Sequence, residues 1–236
     1  MSTETPLERA AEHAFGRFCV GSGALSVAVW AVMIAWVGSQ VPAYDVMRHA
    51  IGELGAGPNS TALVMRTLGY GLSGGLLGLF AAYLAYRLRR DPTAIFASLL
   101  LLVAAVCRMG AGLYACDPGC PGFGFSLDQD YHLYASRGSN VFLLLAAASW
   151  GVAVNRYPAF KRFSPFCFGA LSWGVVSFVM MATVFDKQGF YERIAHGLMG
   201  AWVLLFVWFL WQARVWAVLP AWRKPDYAPR RRRFRR

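Results

Sequence analysis

The chain has 236 residues, of which 57% are apolar and 15% charged, with a formal net charge of +11 and a mean hydropathy of +0.43. A water-soluble domain that rich in Leu, Phe and Trp has too little polar surface to stay in water. The composition therefore excludes a disordered chain, a disulfide-framework mini-protein and an ordinary cytosolic enzyme, and points to a membrane protein.

Residues 1–17 form a short leading segment in which Glu4, Glu8 and Glu12 face Arg9. It has no basic leader and no small-x-small cleavage site, so the first span is expected to be a retained signal anchor. Apolar stretches of about 20 residues cross a ~30 Å hydrocarbon core, and each must be helical because its backbone has no water to bond. Six such stretches are predicted, at 18–37, 65–86, 93–115, 133–154, 164–185 and 192–214. The expected fold is all-α: a six-span helical bundle over 18–215, followed by a polybasic tail at 216–236.

Basic residues gather beside one set of span ends, at Arg9, Arg17, Arg87, Arg89, Arg90, Arg156, Lys161, Arg162, Arg214 and the tail. By the bias of positive charge toward cytoplasmic flanks, both termini are expected inside and the protein in the inner (plasma) membrane. The tail, with Arg230 to Arg233 contiguous, is expected to meet anionic lipid headgroups rather than nucleic acid. Gly71 with Gly75 and Gly74 with Gly78 let neighbouring helices approach closely. They are expected to pack the bundle internally, and they leave the oligomeric state open.

The opposite side is chemically different. His49, His132 and His196 fall there, with Glu53, Asp117, Asp186 and Glu192. Arg66, Arg108, Arg137 and Arg193 lie a few residues inside the same span ends and should point inward, because intramembrane charge is costly against lipid. Guanidinium forks suit phosphate and carboxylate. The four arginines are thus candidate substrate-binding groups, and ion pairs with Asp117, Asp186 and Glu192 are the purely structural alternative.

In the first loop of this side, Tyr44 to Asn59, a helical turn over 45–54 would place His49 and Glu53 on one face. The segment Cys116-Asp117-Pro118-Gly119-Cys120-Pro121-Gly122 forces a tight turn that brings two sulfurs together, so a Cys116–Cys120 disulfide is expected. The alternative is a divalent metal such as zinc on both thiols and His132, which still lacks a fourth ligand. Cys19, Cys107 and Cys167 read as small core residues.

The first loop, the CDPGCP turn followed by His132, and the closing FDKQGFYERIAHG resemble in order and spacing the signature regions of the domain-of-unknown-function family 998, over about residues 18–215. The resemblance implies a six-span bundle and carries no activity. A more distant similarity is to the alkaline ceramidase and progestin-receptor-like membrane hydrolases, which use His and Asp at helix ends around zinc. The last span here departs from them, offering Arg193-x-x-His196 with no second His one turn on.

Three functions fit these residues. One is a hydrolase or transferase acting on a lipid or lipid-linked anion, with the arginines on the headgroup. In it His49, His132, His196, Glu53, Asp117 and Asp186 serve as catalytic groups or metal ligands. The second is a non-catalytic binder, sensor or carrier of an anion. The third is a structural or accessory protein.

Overall fold

The computed structural model describes residues 6–217. Residues 1–5 and, of the expected polybasic tail at 216–236, residues 218–236 lie outside that range. Six helices are long and apolar enough to cross a membrane: α1 (Leu7–Gln40), α2 (Ser60–Arg87), α3 (Pro92–Leu113), α4 (Leu127–Arg156), α5 (Lys161–Thr183) and α6 (Gln188–Gln212). Among the described residues there is no strand. This is a multi-pass membrane protein with an all-α fold. The first helix begins well before the expected span start at residue 18, because Pro6 sits at its first turn, where proline is tolerated, and the helix runs on unbroken through Gly16 and Arg17.

Helix ends follow local chemistry. Asp91 caps α3 by accepting from the Thr93 N–H at 2.9 Å, with Pro92 at the first helical position, where its missing N–H costs nothing. Ser126 caps α4 by accepting from the Gln129 N–H at 3.1 Å. The second helix is not uniform: Met65–Leu72 is wound as a π-helix, an irregularity that often accompanies functional sites.

Each helix packs on its neighbours in sequence, and α6 returns against α1 to close a ring. The core inside it is aromatic and aliphatic, with Trp150, Trp202, Phe80, Phe163 and Phe206 buried. Gly74 lies against Ala105 and Met109 of α3, where an added Cβ would sit 2.6 Å from the Met109 side chain, and Gly78 also faces Ala105. These two glycines serve contacts inside the bundle, whereas Gly75 faces open space.

Six spans return the chain to the end where it began, here called the arginine-rich end. Arg87 donates to the carbonyls of Val215 and Trp216 at 2.8 and 3.1 Å, and Arg17 lies 5.8 Å from the Trp216 ring centroid. At the same end Asp91, only 2% exposed, pairs with Arg156 at 3.0 Å. Burial and that carboxylate both push the nearby Tyr157 hydroxyl up, which keeps it protonated. Arg156→Ala removes the countercharge and strands Asp91. A stability loss on the order of 2–3 kcal/mol is expected, below that of fully enclosed pairs because Arg156 is partly exposed, and thermal unfolding in detergent measures it.

Candidate functional site

The opposite end, here the histidine end, is built around the start of α6. Its first N–H groups have no helical partner, and the loop after α1 supplies acceptors. Gly189 donates to the Arg48 carbonyl at 3.3 Å and Phe190 to the Met47 carbonyl at 3.0 Å. Arg193 donates to the carbonyls of His49 (3.1 Å) and Gly189 (2.8 Å) and to the Tyr44 hydroxyl. The Tyr44 hydroxyl in turn donates to the Ala50 carbonyl at 2.9 Å. Burial pushes its pKa up to about 12 although Arg193 opposes the shift, so it stays protonated. Glu192 accepts from the Ile51 N–H at 2.7 Å and Glu53 from the Ala50 N–H at 2.8 Å.

This lacing corrects one expectation. Ala50 is extended (ψ 152°) and the following turn, Ile51–Gly55, is a 3-10 helix, so His49 and Glu53 do not share a helical face. His49 instead accepts from the Asp45 N–H at 3.1 Å.

A second wall comes from the loop between α3 and α4. Cys116 and Cys120 form a disulfide with Cα atoms 5.2 Å apart. Gln129, fully buried, accepts from the Asp117 N–H at 2.8 Å and donates to the Pro121 carbonyl, tying the loop to α4. One turn on, His132 is 2% exposed and its Nδ1 meets the carbonyls of Ala111 (2.9 Å) and Tyr114 (3.1 Å) at the end of α3. Two acceptors at Nδ1 assign the proton there and leave the Nε2 lone pair free. Gly52 sits against that nitrogen and the disulfide: a Cβ there would lie 2.8 Å from Cys120 Sγ and 3.2 Å from His132 Nε2.

Between these walls lies a cavity of about 90 Å³, lined by Arg108, Arg137, His132, His196 and Glu192 among others. Arg108 is 7% exposed, stacked 4.9 Å from the Trp30 ring centroid, and among the described residues it has neither an ion pair nor a hydrogen bond. Arg137 is exposed at the rim, 4.4 Å from the Phe123 ring centroid. His196 contacts Trp30, ring to ring, at 5.3 Å, and Tyr70 meets His132 edge-on at 5.7 Å. A buried cation held by a ring face alone is incompletely satisfied, and an oxyanion supplies what it lacks.

The other candidates lie elsewhere. Arg193 fastens the loop and does not line this cavity, nor do Arg66, His49, Glu53, Asp117 or the exposed Asp186. Arg66 keeps its Nε buried without a partner. Among the described residues the ion pairs are Asp45–Arg48 and Asp91–Arg156, so the pairs with Asp117, Asp186 and Glu192 that formed the structural alternative are not made among them. Cys116, Cys120 and His132 bring ligand atoms within 4.8 Å of one another. With the sulfurs joined, however, the set offers one imidazole and no thiolate, a poor fit for zinc. Cys19 and Cys167 are buried, as expected of core residues, and Cys107 is half-buried. The sequence reading missed several cavity residues: Tyr70 on the π-helical turn, Trp30, and the Ser136, Ser139 and Asn140 group on α4. Only the last group carries a signal that could have found it, the polar spacing 136–139–140 on one helical face.

Residues 24–209 match the family model described as "Protein of unknown function (DUF998)". The chain belongs to that family. No curated protein and no solved structure matches it.

Two outcomes test this architecture. In denaturant without reductant, three cysteines should alkylate and two only after reduction, as counted by mass spectrometry. Gly189→Ala should lower stability by about 1–3 kcal/mol, because its Cβ would sit 2.3 Å from the His49 carbonyl oxygen; a lower thermal midpoint together with faster proteolysis in the 44–59 loop is the expected signature.

Proposed function

We propose that the cavity binds the anionic head of a lipid or lipid-linked substrate and that the protein is a hydrolase or transferase acting on it. The orientation expected from the basic flanks places the cavity on the outer face of the plasma membrane. The observation that carries the reading is Arg108: a buried, unpaired guanidinium facing a small cavity that also holds two imidazoles and a carboxylate. Arg108, with Arg137 at the rim, binds and neutralises a tetrahedral oxyanion, and its charge counts most where water is excluded. His132 accepts a proton at Nε2 while its Nδ1–H stays on the α3 carbonyls, the arrangement of an oriented general base. His196 and Glu192 are the complementary proton carriers. Glu192 keeps one oxygen on the Ile51 N–H, which holds the carboxylate in place.

The structural alternative loses its motive, since the arginines do not close the end by ion pairing. A non-catalytic binder uses Arg108 and Arg137 alone, and turnover separates it from the enzyme.

The test uses purified full-length protein with dihexanoyl phosphatidate and inorganic phosphate as probes. Arg108→Gln should weaken binding about 10–100-fold, the loss expected of charge-assisted hydrogen bonds. Phosphate release or head transfer from short-chain phospholipids and isoprenoid phosphates should fall about a hundredfold or more in His132→Gln, with binding retained. Unchanged binding in Arg108→Gln rejects the anion site. Binding without turnover on any of these substrates leaves the sensor reading in place of the enzyme.

A further inference from the structure

The cavity is small. At about 90 Å³ it takes a few waters or one small tetrahedral oxyanion such as phosphate, and it is far too small for a length of hydrocarbon. If the substrate is a lipid, its chain must lie elsewhere.

A second hollow meets that need. Between α1 and α6, on the face turned to the membrane, runs an apolar groove of about 760 Å³. Small residues make its depth: Ala31, Ala35 and Gly38 on α1, Gly197, Gly200 and Ala201 on α6. Small residues alone signify close packing, but three further features point to a ligand. First, the groove and the polar cavity share a wall, because Trp30 and His196 line both. Second, Trp30 is 6% exposed and its indole N–H is buried without an acceptor, a donor left over at the junction. Third, the depth fits one leaflet. The groove runs on α1 from Ser39 to Val27, about 18 Å at 1.5 Å per residue, against about 15 Å for half of a ~30 Å hydrocarbon core. Its polar mouth, at Arg193 and His196, lies at the end where the cavity sits.

We propose that the ligand is a lipid phosphomonoester that enters sideways from the bilayer, with its phosphate on Arg108 in the cavity and its hydrocarbon chain along the α1/α6 groove. The inference rests on the reading of the cavity as an oxyanion site. Trp30 and His196, in ring contact, form the partition that parts as the head crosses. The link between phosphate and chain then passes the free indole N–H, which finds an oxygen there.

The experiment compares dioleoyl phosphatidate, dihexanoyl phosphatidate and dioleoyl phosphatidylcholine on the purified full chain in detergent. The parent protein should bind the dioleoyl phosphatidate at least about tenfold tighter than the dihexanoyl form, because only the long chain runs the length of the groove and packs along its walls. It should bind the phosphatidylcholine no better than background. Gly197→Phe fills the groove, and an added Cβ there meets nothing within 4 Å, so the helix packing is kept. That variant should abolish the long-chain preference and leave inorganic phosphate binding unchanged, since Gly197 lines the groove and not the cavity. Ala35→Phe, on the facing helix, should do the same and guards against a folding defect in either one. Retention of the long-chain preference in both folded variants overturns the groove assignment, and tight phosphatidylcholine binding overturns the phosphomonoester. Loss of the Arg108→Gln effect on dihexanoyl phosphatidate overturns the underlying anion site instead.

Discussion

A guanidinium held in a helical bundle with neither an ion pair nor a hydrogen bond among the described residues governs the histidine end of this protein. Arg108 rests on the face of Trp30. A ring face offsets only a part of the cost of removing such a charge from water, on the order of 2 kcal/mol when desolvated. An unpaired charge of this kind is tolerated where water or an anion can reach it, and the neighbouring groups keep that access open. Tyr70 and Trp30 bound the space with flat surfaces, and Ser136, Ser139 and Asn140 line it without adding charge. Ionisable groups are concentrated there, while the core nearer the arginine-rich end is aromatic and aliphatic. A carrier needs polar groups near the midplane; a one-ended site serves binding or chemistry at a single face.

The walls of the site are rigid for reasons that begin in short sequence segments. A disulfide across five residues, a buried Gln129 that bonds both sides of that turn, and two α3 carbonyls on His132 Nδ1 all fix one imidazole. The lack of a side chain at Gly52 lets the first loop lie flat against that assembly, where any Cβ would meet sulfur and ring nitrogen together. On the other side the same loop covers the start of α6, so two loops distant in sequence are braced against each other through His132. Such bracing by surrounding hydrogen bonds fixes the orientation of the His132 ring.

Much of this was legible in advance, and the reasons for the failures are specific. Six spans follow from apolar length alone, because lipid leaves the backbone no alternative to helix. The CDPGC turn announces its disulfide through the φ demands of its Gly and the closeness of the two sulfurs; Gly119 is indeed at φ 79°. One-sided placement of the histidines marked the end at which the cavity with His132 and His196 lies. Position along a helix, however, gives depth and not azimuth. Arg108 and Arg193 looked equivalent by depth, yet one faces the cavity while the other turns to the loop carbonyls. The His49–Glu53 pairing failed because a single extended residue, Ala50, resets the helical phase. Tyr70 was invisible because a π-helical turn shifts which residues share a face, and nothing in MRTLGYGL announces that winding.

The ring closure explains where an opening can exist. Sequential helices are held side by side by the segments that join them, but α1 and α6 are chain-distant and meet only because the bundle closes on itself. Their seam is laced at both ends. At one end Arg193 and Glu192 bind the loop that follows α1, and at the other Arg17 and Gly16 of α1 meet Trp216 just beyond α6. Between the laces, Gly and Ala replace the large side chains that would interdigitate across a tight interface. Gly200 approaches Val27 closely, while Gly197 three residues away touches nothing. A seam fixed at its ends and hollow along its middle keeps the bundle intact while admitting a hydrocarbon chain from the surrounding lipid, and it does so beside Trp30 and His196, the two rings that separate that chain from the polar cavity.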